Sequence, residues 1–190
     1  MTEQELIRLF KERGALLEGH FCLTSGLHSN RYIQCAQVLQ YPDISALLGE
    51  ELAAYFSELD IDLVVGPAIG GIVVAQEVGR ALGVRAIFSE REQGKMTLRR
   101  GFQIKKGERV VVVEDVVTTG GSTKEVIEMV KEHGGVVVGV GSLVDRHSGE
   151  LDFGMPFYPL LKLDIETYSP DDCPLCKDGL PIVKPGSRKE

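Results

Sequence analysis

Glu114 and Asp115 are adjacent carboxylates. They follow four valines, Val110–Val113, and precede Val116, Val117 and a loop of small residues, Thr118-Thr119-Gly120-Gly121-Ser122-Thr123. The valines read as a buried strand, and a helix begins after the loop. Glycines let backbone N–H groups approach a phosphate closely, and a helix N-terminus adds partial positive charge and unpaired donors. The hydroxyls of Thr118, Thr119, Ser122 and Thr123 can add further hydrogen bonds. Two acids beside a phosphate repel it unless something lies between. Sugar hydroxyls would serve, as would a magnesium ion bridging ligand oxygens. Adjacent residues of a regular strand face opposite ways. Either the two acids have different tasks or the strand has ended before them. The whole stretch reads as a site for a phosphorylated sugar; a plain strand with an acidic helix cap accounts for only part of it. No GxxxxGK[ST] loop occurs, and no GxGxxG lies between a strand and a helix.

Other residues carry weaker signals. The stretch 90–106 is polar and contains Arg91, Lys95, Arg99 and Arg100. It is too long for an ordinary strand-to-helix connection, so it is either a mobile functional loop or an exposed hairpin. Arg146, in VDRHSGE, would pair with Asp145 or Glu150 if it were only a turn residue. Cys173-Pro-Leu-Cys176 resembles half of a zinc knuckle, and one such pair is a weak signal. Cys22 and Cys35 could complete it only if the fold brought them near; otherwise all four cysteines are reduced thiols. His20, His28, His133 and His147 show no metal spacing, and His133 suits a helix C-terminus.

The elements that must position these residues can be read from periodicity. A helix over 2–13 places Leu6, Leu9 and Phe10 on one face and ends at Gly14. Two short strands within 21–35 are joined by a turn at Ser25–Asn30. Pro42 opens a helix to about Leu59. Strand Ile61–Val65, the turn Gly66-Pro-Ala-Ile-Gly-Gly71, helix Ile72–Leu82 closed by Gly83, and strand Val84–Ser89 follow. Strand Arg109–Val113 leads into the loop, and the next helix, with Ser122-x-x-Glu125 as a capping box, runs to His133. Strand Val136–Val144, a strand within Pro156–Ile165 and an irregular tail over 169–190 complete the chain. The alternation of strand and helix predicts an α/β fold with a Rossmann-like parallel sheet flanked by helices. Ligands of such sheets sit at the carboxyl ends of the strands, where the threonine-glycine loop falls.

The chain has 190 residues, enough for a single domain with a real core, and 43% hydrophobic residues. Its formal charge of −7 argues against a nucleic-acid partner. No apolar run approaches a bilayer span, and MTEQELIRLF is no secretory signal, so a cytoplasmic setting without membrane contact is the default.

Val110–Thr123 resembles the phosphoribosyl-pyrophosphate (PRPP) signature of type I phosphoribosyltransferases. FCLTSGLHSNRYIQCA, GPAIGG, EREQGKMTLRRGF and VDRH are similar to the corresponding pieces of the orotate phosphoribosyltransferases, and the similarity covers about residues 5–168. It implies that type of fold, with a small N-terminal hood over the base formed mainly by 1–40, a core over about 41–168, and Tyr32 near the base. It implies transfer of ribose 5-phosphate from PRPP to orotate with Mg²⁺, giving orotidine 5′-monophosphate for pyrimidine synthesis. The alternatives are a purine substrate or a non-catalytic PRPP sensor.

Residue by residue, Glu114 and Asp115 would hold the ribose hydroxyls, Asp115 and Lys95 being the catalytic candidates. Val116, Val117, Thr118, Thr119, Gly120, Gly121 and Ser122 would line the PRPP site, Thr118–Ser122 around the 5′-phosphate. Ala68, Ile69, Gly70 and Gly71 would form the pyrophosphate loop. Arg91 and Lys95 match the cations of the family's mobile loop, with Glu92 and Thr97 where better-known members carry a lysine and a histidine. Thr118 and Arg146 would contact orotate, Arg146 because its planar fork suits a carboxylate. Mg²⁺ would be held mainly by PRPP, with no side-chain ligand assigned. The resemblance also implies a homodimer, each subunit's loop reaching over its neighbour's site.

Overall fold

The computed structural model describes residues 1–185. Helix α1 (Glu3–Glu12) buries Leu6 and Phe10. A capping box at its start is made by Thr2 and Glu5: Glu5 N–H donates to Thr2 Oγ1 at 3.3 Å, and Thr2 N–H to Glu5 Oε2 at 2.8 Å. Strands β1 (Leu16–Cys22) and β2 (His28–Ile33) form an antiparallel hairpin. Its turn is tighter than expected. Gly26 N–H donates to Leu23 O, and Leu23 N–H to Leu27 O, so His28, Ser29 and Asn30 already belong to β2.

After a single turn, α2 (Ala36–Leu39), helix α3 spans Pro42–Ala54 and stops short of Leu59. Strand β3 (Leu63–Pro67), helix α4 (Gly70–Leu82) and strand β4 (Arg85–Glu92) form the first βαβ unit. The charged excursion is a hairpin: β4 runs on through Arg91 and turns into antiparallel β5 (Lys95–Leu98). Strand β6 (Arg109–Val117), helix α5 (Gly121–Glu132) and strand β7 (Val136–Asp145) form the second unit, with β8 (Phe157–Lys162) parallel beside β7.

The main sheet has the order β5-β4-β3-β6-β7-β8. Alternating valines of β6 divide its faces. Val111 and Val113 pack with Val74 and Val78 of α4 and Leu48 and Leu52 of α3. Val110 and Val112 pack with Val126 and Val130 of α5 on the other side. The crossovers through α4 and α5 leave β3 and β6 in opposite directions. The cleft between those strand ends is therefore the topological switch point.

The tail is not wholly irregular. Just before it, Thr167–Tyr168 form a short strand, β9, that pairs with β2 and makes a three-stranded sheet, β1-β2-β9. A 3₁₀ turn (Pro170–Asp172) and the one-turn helix α6 (Pro174–Lys177) follow. Val183 then bridges to the hood, accepting from Cys22 N–H at 2.9 Å and donating to His20 O at 2.8 Å. The part of the tail beyond 185 lies outside the described residues. No described helix is long and apolar enough to cross a membrane.

Candidate active site

Strand β6 does not end before the acids. Both lie within it, so they face opposite ways and meet different surroundings. Glu114 is buried, while Asp115 is half-buried. Burial, and then the neighbouring Asp115, push the Glu114 carboxyl up to about 9. Asp115 rests against the start of α4. A β-carbon on Gly70 would stand 2.2 Å from Asp115 Oδ2, so only glycine lets the loop 68–71 close on that carboxylate. In that loop the Ala68–Ile69 peptide is cis, Ala68 N–H donates to Ser89 O at 2.7 Å, and Ile69 is 85% exposed.

Glu114, Val116, Val117 and the loop from Thr118 to Thr123 line a small polar cleft of about 70 Å³. Gly120 caps α5 with φ of +75°, a left-handed turn that suits glycine. The capping box expected from Ser122 and Glu125 does not form. Ser122 is left exposed in the cleft, and Glu125 instead pairs with Arg91 of the hairpin at 2.7 Å.

A larger cavity of about 630 Å³ opens beside the cleft and shares Thr118 and Thr119 with it. The parallel register of β6 and β7 sets Val117 opposite Asp145, and Arg146 N–H donates to Val117 O at 2.8 Å. Arg146 is thereby carried to the cavity wall. The turn pairing considered for it is absent. Asp145 instead accepts from His147 N–H at 2.9 Å, with Lys162 at 4.0 Å, and no described carboxylate pairs with Arg146. Burial lowers the guanidinium's pKa, with Tyr32 acting the other way.

The far wall is the segment Asp164–Tyr168, which sequence reading did not single out. The hood holds it: Ser29 Oγ donates to Glu166 O at 2.9 Å, and His28 pairs with Tyr168. Its residues are unremarkable in type, and only the return of the chain to β2 gives them a place at the site.

Arg91 and Lys95 are not brought to the cleft. Arg91 is tied to Gly94 O and Glu125, and exposed Lys95 faces a surface groove with Met96, Lys124 and Glu128 on the outer side of α5.

Residues 35–173 match the family model described as the phosphoribosyl transferase domain. The chain is 60% identical over 189 residues to a protein named orotate phosphoribosyltransferase from Pelotomaculum thermopropionicum, covering all of both chains. A protein of the same name from Thermotoga maritima is 57% identical over 180 residues, covering 95% of this chain and 96% of that one. The chain belongs to the orotate phosphoribosyltransferase family. Among solved structures, the orotate phosphoribosyltransferase of Mycobacterium tuberculosis, in complex with inorganic phosphate, superposes with a TM-score of 0.70 at 27% identity, covering 85% of this chain and 95% of that one. That of Aeropyrum pernix gives 0.69 at 30% identity, with 83% and 93% covered. Membership accounts for a parallel sheet with a small polar cleft at its switch point and a larger cavity beside it.

Proposed function

We propose that this chain transfers the ribose 5-phosphate group of PRPP to orotate, releasing pyrophosphate and forming orotidine 5′-monophosphate. The observation that carries this reading is the juxtaposition at the ends of β6 and β7. A hydroxyl- and amide-lined cleft adjoins a cavity whose wall holds a half-buried arginine with no counter-ion among the described residues. Such an arginine suits a small anionic base. The family's name supports orotate.

The proposed work of each residue follows from its place. Backbone N–H groups of the 118–122 loop and the N-terminus of α5 receive the 5′-phosphate. Asp115 accepts hydrogen bonds from the ribose hydroxyls. Glu114, held protonated near neutral pH, can donate one as well as accept one. The 68–71 loop, closed against Asp115, meets the pyrophosphate. Arg146 orients the base through its carboxylate, with Thr118 beside it.

The side-chain ligands available at and beside the cleft are oxygens, and of its two carboxylates Glu114 is buried and Asp115 is half-buried against the 68–71 loop, which fits an Mg²⁺ ion held mainly by the substrate's own oxygens. When bound, Mg²⁺ would neutralise charge on the departing pyrophosphate. Lys95 would stabilise that charge too and could donate a proton to it.

Lys95 sits on the outer side of α5, away from its own cleft, and we propose that it serves the cleft of a second subunit in a homodimer. Light scattering on the eluting protein should give twice the chain mass. Mixing inactive Lys95→Ala and Asp115→Asn proteins should restore turnover through sites that draw one intact residue from each subunit. A monomer, or no restoration after subunit exchange has been verified, removes the shared-loop reading. We also propose a cytoplasmic setting, in keeping with cysteines that form no disulfide among the described residues.

The reaction is tested by following orotate consumption with PRPP and Mg²⁺, with adenine, hypoxanthine and uracil as competitors. Loss of orotate matched by pyrophosphate release is the expected result. Consumption of another base instead overturns the substrate, and PRPP binding without turnover of any base makes the protein a sensor.

A further inference from the structure

Far from the cleft residues in sequence, four side chains converge where the hood meets the tail. They are His20 of β1, His28 of β2, and Cys173 and Cys176 at the start of α6. One potential ligand atom from each lies within 4.8 Å of all the others. We propose that these four residues bind a structural zinc ion that clasps the C-terminal segment to the hood.

Four of the six separations lie close to those of a tetrahedral site. Zinc bonds of about 2.3 Å to sulfur and about 2.0–2.1 Å to nitrogen place tetrahedral ligand atoms roughly 3.3–3.8 Å apart. The observed separations are 3.6 Å from Cys173 Sγ to His20 Nε2, 3.7 Å from Cys176 Sγ to the same nitrogen, and 3.3 Å from Cys176 Sγ to His28 Nδ1. The two ring nitrogens are 3.0 Å apart, slightly inside that range.

Hydrogen bonding alone serves these groups poorly. His20 Nδ1 lies 2.8 Å from Leu180 O, a carbonyl that can only accept, so Nδ1 carries the proton and Nε2 presents its lone pair inward. Three groups crowd that one lone pair: His28 Nδ1 and both sulfurs. A cation satisfies all of them at once. The backbone carbonyl fixing the outer nitrogen is the usual support for a zinc-bound histidine. Two thiolates and two neutral imidazoles balance Zn²⁺, so the clasp is uncharged where His20, His28 and Cys173 are buried. Binding releases the two thiol protons to solvent.

The hairpin is built to make the set. Between Glu18 and Phe21, β1 carries one extra residue relative to β2. After this bulge Cys22 stands opposite His28, and His20, two residues before Cys22, shares their face. Without it His20 would stand opposite Ser29, turned away from His28. Cys22 and Cys35 take no part in the cluster.

The experiment uses the full chain, expressed with zinc and purified without chelator. Metal analysis should find about one zinc per chain. Replacing it with Co²⁺ should give the intense visible bands and thiolate charge-transfer absorption of a tetrahedral sulfur–nitrogen site. Cys173→Ser/Cys176→Ser should lose both signals while keeping the far-UV spectrum of the sheet and helices. Full zinc content in that double variant overturns the proposal. So does a Cys173–Cys176 disulfide in protein kept under reducing buffer. If the variant fails to fold, the Co²⁺ titration of the unaltered chain decides: absence of tetrahedral bands overturns the clasp, and their presence supports it.

Discussion

Arg91 and Glu125 join the β4–β5 hairpin to helix α5 at 2.7 Å, with both side chains nearly half exposed. An exposed pair of this kind is worth about 1 kcal/mol or less. It is strong enough to park the hairpin and weak enough to be exchanged for a polyanionic substrate. Glu125→Gln should therefore lower the KM for PRPP by up to about fivefold, matching that energy, with little change in kcat. Initial-rate kinetics at low salt measure it, and an increased KM would show that the pair assists the hairpin instead of restraining it.

Lys95→Ala should reduce kcat by about 10²-fold or more, the range expected of a group that stabilises charge or transfers a proton in the transition state. PRPP binding, followed by calorimetry, should weaken far less, because the 118–122 loop is intact. Unchanged turnover would remove Lys95 from the mechanism.

Arg146→Ala should raise the KM for orotate while leaving that for PRPP near its original value. Loss of a charge-assisted contact corresponds to about 10- to 100-fold in kcat/KM for orotate. Equal damage to both substrates would mean that Arg146 holds the loop and not the base.

Gly70→Ala tests the approach of α4 to the acidic pair. The added methyl would overlap the Asp115 carboxylate, and one of the two must move. A loss of about 1–3 kcal/mol in stability is expected from overpacking, with a fall in kcat/KM for PRPP. Full activity would show that the position of Asp115 is not held from this side.

Glu114 links stability to pH. Its folded-state value, about 9, lies above the unfolded value of 4.5. Between these values the folded chain keeps a proton that the unfolded chain has released. The contribution of Glu114 to stability is therefore greatest below the unfolded value and declines as pH rises, by about 1.4 kcal/mol per pH unit until the folded value is passed. Glu114→Gln removes this slope, so its Tm should exceed that of the parent by a margin that widens from pH 5 to pH 8. A constant margin would place the charge elsewhere.

The doubly wound core was legible because valine runs, glycine turns and amphipathic helices carry it locally. Glu114–Ser122 stood out because the acids and the threonine-glycine loop follow the valine run of β6, whereas Arg146 was marked only by the family resemblance, since in type it fits a turn residue as well. What was hidden depends on contacts distant in sequence. Glu125 matched a capping box in spacing, yet a charged partner from the hairpin took it. His20 and His28 have no metal spacing along the chain and meet Cys173 and Cys176 only through a bulge and a returning tail. The pocket wall at Asp164–Tyr168 has no signature, since its position is set by pairing with β2.

The small sheet β1-β2-β9 is made from the two ends of the described chain, whereas the strands of the main sheet lie between Leu63 and Lys162. During synthesis the first hairpin leaves the ribosome with its β2 edge bare, and that edge must wait until residues 167–168 are made. By then all six strands of the main sheet have been translated. An unpaired edge is an invitation to other nascent chains. Chains stalled before Thr167 should thus keep a bare β2 edge that the native enzyme has covered.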